Sequence, residues 1–235
     1  ALVVSYAVSR IMKIDHDIAT LVGVGSSICG GSAIAAAAPV IKASDEDIAQ
    51  SISVIFLFNV IAAFLFPTLG TILGFNDIGF GMWAGTAIND TSSVVAAGQT
   101  WASASGSDTA LNYATIVKLT RTLAIIPICL GLAYLTSKRK ATTSEVKISS
   151  IFPMFIIYFL GASIINTFAG SHFDFFQFLP VIGKFMIAMA MAAIGLNTNL
   201  VKLIKTGGKP ILLGLICWFC IAVVSLAMQH LLNIW

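Results

Sequence analysis

Apolar residues in this chain come in runs long enough to cross a bilayer, and polar residues interrupt the runs from inside. A spanning helix needs about 20 mostly apolar residues. The runs predict membrane helices over about 17–42, 47–73, 78–98, 108–135, 149–169, 177–206 and 209–232, after a partial one over 1–10. Ser26-Ser27-Ile28-Cys29-Gly30-Gly31-Ser32 breaks the first complete span. Asn89-Asp90-Thr91-Ser92-Ser93 sits mid-span in 78–98, and Gly195-Leu196-Asn197-Thr198-Asn199 interrupts 177–206. A glycine–serine break at membrane depth leaves backbone N–H and C=O groups unpaired, so it must face protein or a polar cavity. Broken helices of this kind form the substrate sites of many secondary transporters.

Composition fixes the class. The 235 residues are 58% hydrophobic and 10% charged, with mean hydropathy +0.96, against about 25% charged in a soluble domain. An all-α polytopic membrane protein is expected. The basic residues form no single stripe, which argues against nucleic acid as a partner. The run Ala1–Met12 is too short to cross and no basic region precedes it, so it reads as the end of a helix whose start is missing. The chain therefore reads as truncated. Cys217-Trp218-Phe219-Cys220 has C-x-x-C spacing, but no second pair or nearby His completes a site. No metal and no cofactor is expected. His16, His172 and His230 fall at span ends and form no catalytic set. An intramembrane enzyme is thus a remote alternative, and no catalytic residue is assigned.

Charge sets an orientation. Alternate loops hold Arg10 and Lys13, then Lys138, Arg139, Lys140 and Lys147, then Lys202, Lys205 and Lys209; the opposite loops hold only Lys42. The positive-inside rule places 138–147 inside and Trp235 outside. The breaks near Gly30 and Gly195 then run in opposite directions, as an inverted repeat requires. The expected organisation is 1–73 as the last three helices of an incomplete first repeat and 77–235 as a five-helix second repeat.

Three segments carry the candidate chemistry. At the first break, Ser26, Ser27, Cys29, Gly30, Gly31 and Ser32 would present a half-helix N-terminus that attracts anions. If the broken helices cross, Gly195, Asn197, Thr198 and Asn199 face that segment. Neither break holds a carboxylate, which weakens a sodium or proton site there. The third segment is a charged and polar network of Asn89, Asp90, Thr91, Ser92, Ser93, Lys118 and Arg121, with Asp90 expected to pair with Lys118, Arg121 or both. Two basic residues at mid-span cost about 5–7 kcal/mol on the insertion scale, so their face must turn inward. Lys184 reads as snorkelling and Asn59 as an interhelical hydrogen bond.

These segments resemble the YeiH-like bacterial membrane proteins, a family named for sulfate export. The likeness rests on Gly25–Ile34, Ile55–Asn59, Trp83–Gly98, Asn112–Arg121 and Met189–Leu196, with the Asn-Asp-Thr-Ser-Ser block the most specific. The resemblance implies a bacterial inner-membrane protein, an inverted-repeat fold similar to bile-acid symporters and sodium–proton antiporters, elevator movement, and a sulfate- or sulfonate-like anion. The expected function is secondary transport of such an anion. The alternative is a cation–proton antiporter on the same fold with Asp90 as proton carrier. The bilayer and a small anionic solute are the expected partners, and a homodimer is left open.

Overall fold

This computed structural model describes residues 1–140 and 208–235, with isolated helical positions between Tyr158 and Met189. Gly195, Asn197, Thr198 and Asn199 lie outside the described residues, as do Lys184, Lys202 and Lys205. Among the described residues all regular structure is helical.

Helix α1, Leu2–Met12, is closed by Lys13 in the left-handed region. The Asp15 side chain then accepts from Asp17 N–H and starts α2, His16–Ser27, a cap that contributes about 1 kcal/mol. After Ile28-Cys29-Gly30 comes α3, Gly31–Ile41. The halves have 12 and 11 residues, roughly 17 Å each and about half the hydrocarbon thickness. They do not continue in line. Carboxylate oxygens of Asp15, Asp17 and Asp47 lie within 4.8 Å of one another, and Ile41 and Lys42 line one cavity with His16 and Thr20. The α2–α3 pair is a re-entrant hairpin whose mouth lies at the start of the next helix.

That helix is α4, Asp45–Ile72. Ser44 caps Asp47 N–H, and Asp45, Glu46 and Asp47 in the first turn suit the positive helix end. Its 28 residues extend about 42 Å, enough to cross a membrane. At its far end a second hairpin begins: α5, Asp77–Ala87, and α6, Thr91–Ser105. Trp101 Nε1 on α6 donates to Asp77 Oδ1 at 2.8 Å, and the Trp101 ring stacks on Phe80 with centroids 4.1 Å apart. The mouth of this hairpin is therefore closed at the α4 C-terminal end.

The return crossing is α7, Thr109–Thr122, continued by α8, Ile125–Lys140. Three i→i−3 bonds join them: Leu123 to Thr120, Ala124 to Arg121 and Ile126 to Leu123. This tightening comes just before Pro127, which cannot extend the α-helical ladder. Apolar character runs through Thr109–Thr136. Gly81 and Gly85 of α5 pack on Ala110 and Ala114 of α7, the small-residue seam that lets membrane helices approach closely. The last helix, α9, Gly208–Leu231, packs Gly214 on Val54 and Phe58, and Trp83 Nε1 donates to Ala222 O at 3.3 Å. Trp235 follows it and packs at a tilt against Phe75, centroids 4.5 Å apart, at the mouth of the second hairpin.

A hairpin followed by a crossing helix thus occurs twice, with opposite direction. Each hairpin has its own apolar core. One is built on Leu21, Val22, Val24, Ile34 and Ala37 with Ile125 and Cys129; the other on Phe66, Phe80, Trp83, Ile88, Val94 and Trp101.

Two expectations are corrected. The span 17–42 breaks at Gly30, but the chain turns back there instead of crossing, because Gly30 holds φ 69° and ψ −126°. The segment 78–98 is not one helix with polar residues midway; it ends at Ala87 and restarts at Thr91. Lys42, the lone basic residue expected on the opposite face, consequently sits at the same end as Arg10 and Lys13.

Candidate functional site

The two hairpin tips touch. A Cβ built on Gly30 would lie 3.4 Å from Asn59 Nδ2 and 3.5 Å from Asp90 Cβ. Asn59 stands near the middle of α4 and is fully buried. Its Oδ1 accepts from Asn89 N–H at 3.0 Å and Asp90 N–H at 3.2 Å. One amide oxygen therefore holds the tip of the second hairpin, while the amide nitrogen faces the first.

Each tip exposes the C-terminal carbonyls of one half-helix, and two side chains of α7 take them. Lys118, 0% exposed, donates from Nζ to Ile28 O at 2.7 Å and to Ile88 O at 3.1 Å. Arg121 donates from Nε to Ser27 O at 2.7 Å, from Nη2 to Ser26 O and from Nη1 to Thr86 O; Nη2 also lies 3.4 Å from Asn89 Oδ1. Lysine and arginine have no acceptor function, so carbonyls are their natural partners. A positive charge at a helix C-terminus also complements the dipole.

The N-terminal halves are treated unequally. Asp90 caps α6: its Oδ2 accepts from Ser92 N–H at 3.0 Å, from Ser93 N–H at 3.3 Å and from the Ser92 hydroxyl. The equivalent position before α3 is Gly30, which has no side chain to offer, and the space beside Gly31 is open. The asymmetry sits inside a repeat visible in the residues themselves. Gly25-Ser26-Ser27-Ile28 answers Gly85-Thr86-Ala87-Ile88, Ser32 answers Ser92, and Ala36-Ala37 answers Ala96-Ala97.

The structure brings together Ser26, Ser27, Cys29 and Gly30 with Asn89, Asp90, Lys118 and Arg121. Gly31, Ser32, Thr91, Ser92 and Ser93 form the adjoining helix starts. It does not form the expected ion pair: Asp90 makes no salt bridge with Lys118 or Arg121 among the described residues. The reason is local. Two helix-start amides and a serine hydroxyl occupy Asp90, and the half-helix carbonyls occupy the two bases. Ser27 Oγ donates to Gly23 O at 2.6 Å and Ser32 Oγ to Cys29 O at 3.1 Å. Ser26 Oγ, Asn59 Nδ2 and Asn89 Nδ2 are buried without a partner. The hydrogen bond expected of Asn59 runs from α4 to the backbone of the second tip, and its Nδ2 lies against the first tip at Gly30. The signal that could have found it is the Ile55–Asn59 segment recurring among the family-like motifs.

Beside Arg121 a cavity of about 400 Å³ opens, lined at its polar end by Ser27, Thr86, Ser225 and Gln229.

Paired re-entrant hairpins, held at their tips by the buried Lys118 and the half-buried Arg121 and flanked by apolar crossing helices, define an all-α membrane protein. The family model described as Conserved hypothetical protein 698 matches residues 1–214. Along its whole length the chain is 54% identical to a UPF0324 membrane protein of Streptococcus agalactiae, 57% to one of Streptococcus mutans and 53% to one of Fusobacterium nucleatum. It covers 71%, 71% and 72% of those proteins. The chain belongs to this family of UPF0324 membrane proteins, with which the YeiH-like resemblance agrees. No solved structure matches it.

Proposed function

We propose that the protein is a secondary transporter of a small anion, sulfate- or sulfonate-like, bound where the hairpin tips meet. One observation carries this reading: the tips join at mid-depth around a buried lysine, a half-buried arginine and one acid, with three buried donor groups there left without a partner. Lys118 and Arg121 against Asp90 leave one positive charge in excess. Ser26 Oγ, Asn59 Nδ2 and Asn89 Nδ2 have no acceptor, and a buried donor without a partner costs about 1–3 kcal/mol. An oxyanion supplies both the missing charge and the missing acceptors. The open start of α3 at Gly31 and Ser32 adds further N–H groups of the kind that bind oxyanions. Gly195, Asn197, Thr198 and Asn199 remain proposed contributors from outside the described residues.

The reading extends to topology. With both hairpins re-entrant, Arg10, Lys13, Lys42 and the Lys138–Lys140 end of α8 share one face, and the other face has no basic loop residue among the described residues. By the positive-inside rule the basic face is cytoplasmic and Trp235 lies outside; the bacterial inner membrane is the setting that the YeiH-like resemblance implies. Movement of the hairpin pair as a unit would give alternating access. The antiporter reading is less well supported, because the Asp90 carboxylate already accepts from three donors at the α6 start.

Flux into proteoliposomes carrying the full-length protein tests the proposal. Saturable uptake of labelled sulfate or methanesulfonate, above empty liposomes, is the expected result. Sodium or proton flux with no anion flux overturns it in favour of the antiporter.

A further inference from the structure

In transporters with broken helices, unwound carbonyls and half-helix C-termini ordinarily coordinate the coupling sodium ion or proton. Here the same acceptors are already taken. Lys118 Nζ lies between the two tips, 2.7 Å from Ile28 O and 3.1 Å from Ile88 O, and Arg121 takes Ser26 O, Ser27 O and Thr86 O. A bare monovalent cation would seek this arrangement: two helix C-terminal ends converging on one point, at a residue that is 0% exposed. No carboxylate forms an ion pair with Lys118 among the described residues, and its hydrogen bonds there go to backbone oxygens, as a metal ion's contacts would.

We propose that Lys118, seconded by Arg121, is a covalently tethered occupant of the coupling-cation seat. The protein then binds no sodium between its hairpin tips and moves its solute without a co-transported metal ion. The coupling half of this statement rests on the transporter reading above. The seat itself is a binding claim that stands apart from it.

The two halves are tested separately with the full-length protein. Thermal unfolding in detergent is compared in sodium chloride and in choline chloride at equal ionic strength. The wild-type midpoint is the same in both. Lys118→Ala lowers the midpoint, and sodium or methylammonium raises it again by about 3 °C or more at saturation, while the larger choline does not. A wild-type midpoint that rises with sodium overturns the seat proposal, as does a Lys118→Ala protein indifferent to which cation is present. Should Lys118→Ala fail to fold, Lys118→Gln takes its place and the wild-type comparison decides by itself. In proteoliposomes, methanesulfonate uptake by the wild type runs at the same rate in sodium and in choline. Uptake lost on removing sodium overturns metal-free movement. Absence of any anion uptake sinks the transporter reading, and the unfolding comparison then still decides the seat.

Discussion

Arg121→Ala is expected to abolish anion flux and to lower the thermal midpoint in detergent by about 10 °C. The guanidinium donates to Ser26 O, Ser27 O and Thr86 O, carbonyls at the ends of both inner half-helices. Alanine leaves these part-buried acceptors without their donor, and each one stranded out of reach of water costs up to about 1–3 kcal/mol. The loss therefore exceeds what one truncated side chain usually costs. Arg121→Lys separates charge from geometry. The ammonium keeps the positive charge but lacks the planar fork that reaches several carbonyls at once. It should recover part of the midpoint and little of the flux. An Arg121→Ala protein with wild-type midpoint and flux would show that the hairpin tips do not depend on this clamp.

Gly30→Ala is the second large effect, and Gly31→Ala is its control. Gly30 holds φ 69° and ψ −126°, a region closed to residues with a Cβ except at a strain of about 1–3 kcal/mol. Space is not the obstacle, because the nearest atoms to an added Cβ are 3.4 and 3.5 Å away. The backbone must instead rotate, which moves the tip off Asn59 and Asp90. Flux should fall steeply, with a drop in midpoint of several degrees. At Gly31 nothing lies within 4 Å of an added Cβ, and the residue is the first of α3. Alanine there should leave the midpoint unchanged or slightly raised. Equal loss of midpoint in the two variants would contradict the turn assigned to Gly30.

The residues of the site were more legible than their connection. Gly30-Gly31 flanked by serines marks a break at once, and basic residues at Lys118 and Arg121 cannot face lipid. What the apolar pattern cannot distinguish is a broken helix that crosses from one that turns back. Residues 17–42 are long enough for one crossing and also for two half-depth helices, and the difference lies in the dihedral angles of one glycine. Lys42 was the available clue. It violated the charge asymmetry under a crossing topology and obeys it under a re-entrant one. The second hairpin was hidden for a different reason. Asn-Asp-Thr-Ser-Ser suits a helix N-cap, yet an acid near two bases at similar depth suggests an ion pair just as readily. The Gly25–Ile28 and Gly85–Ile88 correspondence resolves that ambiguity, since the first copy already signals a break. Asn59 is another case: a lone polar residue in a long apolar helix says that it has a partner, not that the partner is the backbone of a neighbouring tip.

The most direct test of the fold-back topology is side-specific labelling of single cysteines at Lys13, Lys42, Asn76 and Gly106, with the native cysteines removed. A membrane-impermeant maleimide added from one side should reach positions 13 and 42 together, and from the other side positions 76 and 106 together. Labelling of 13 and 42 from opposite sides would mean that α2 and α3 cross the membrane in line, and the meeting of two re-entrant tips would be excluded.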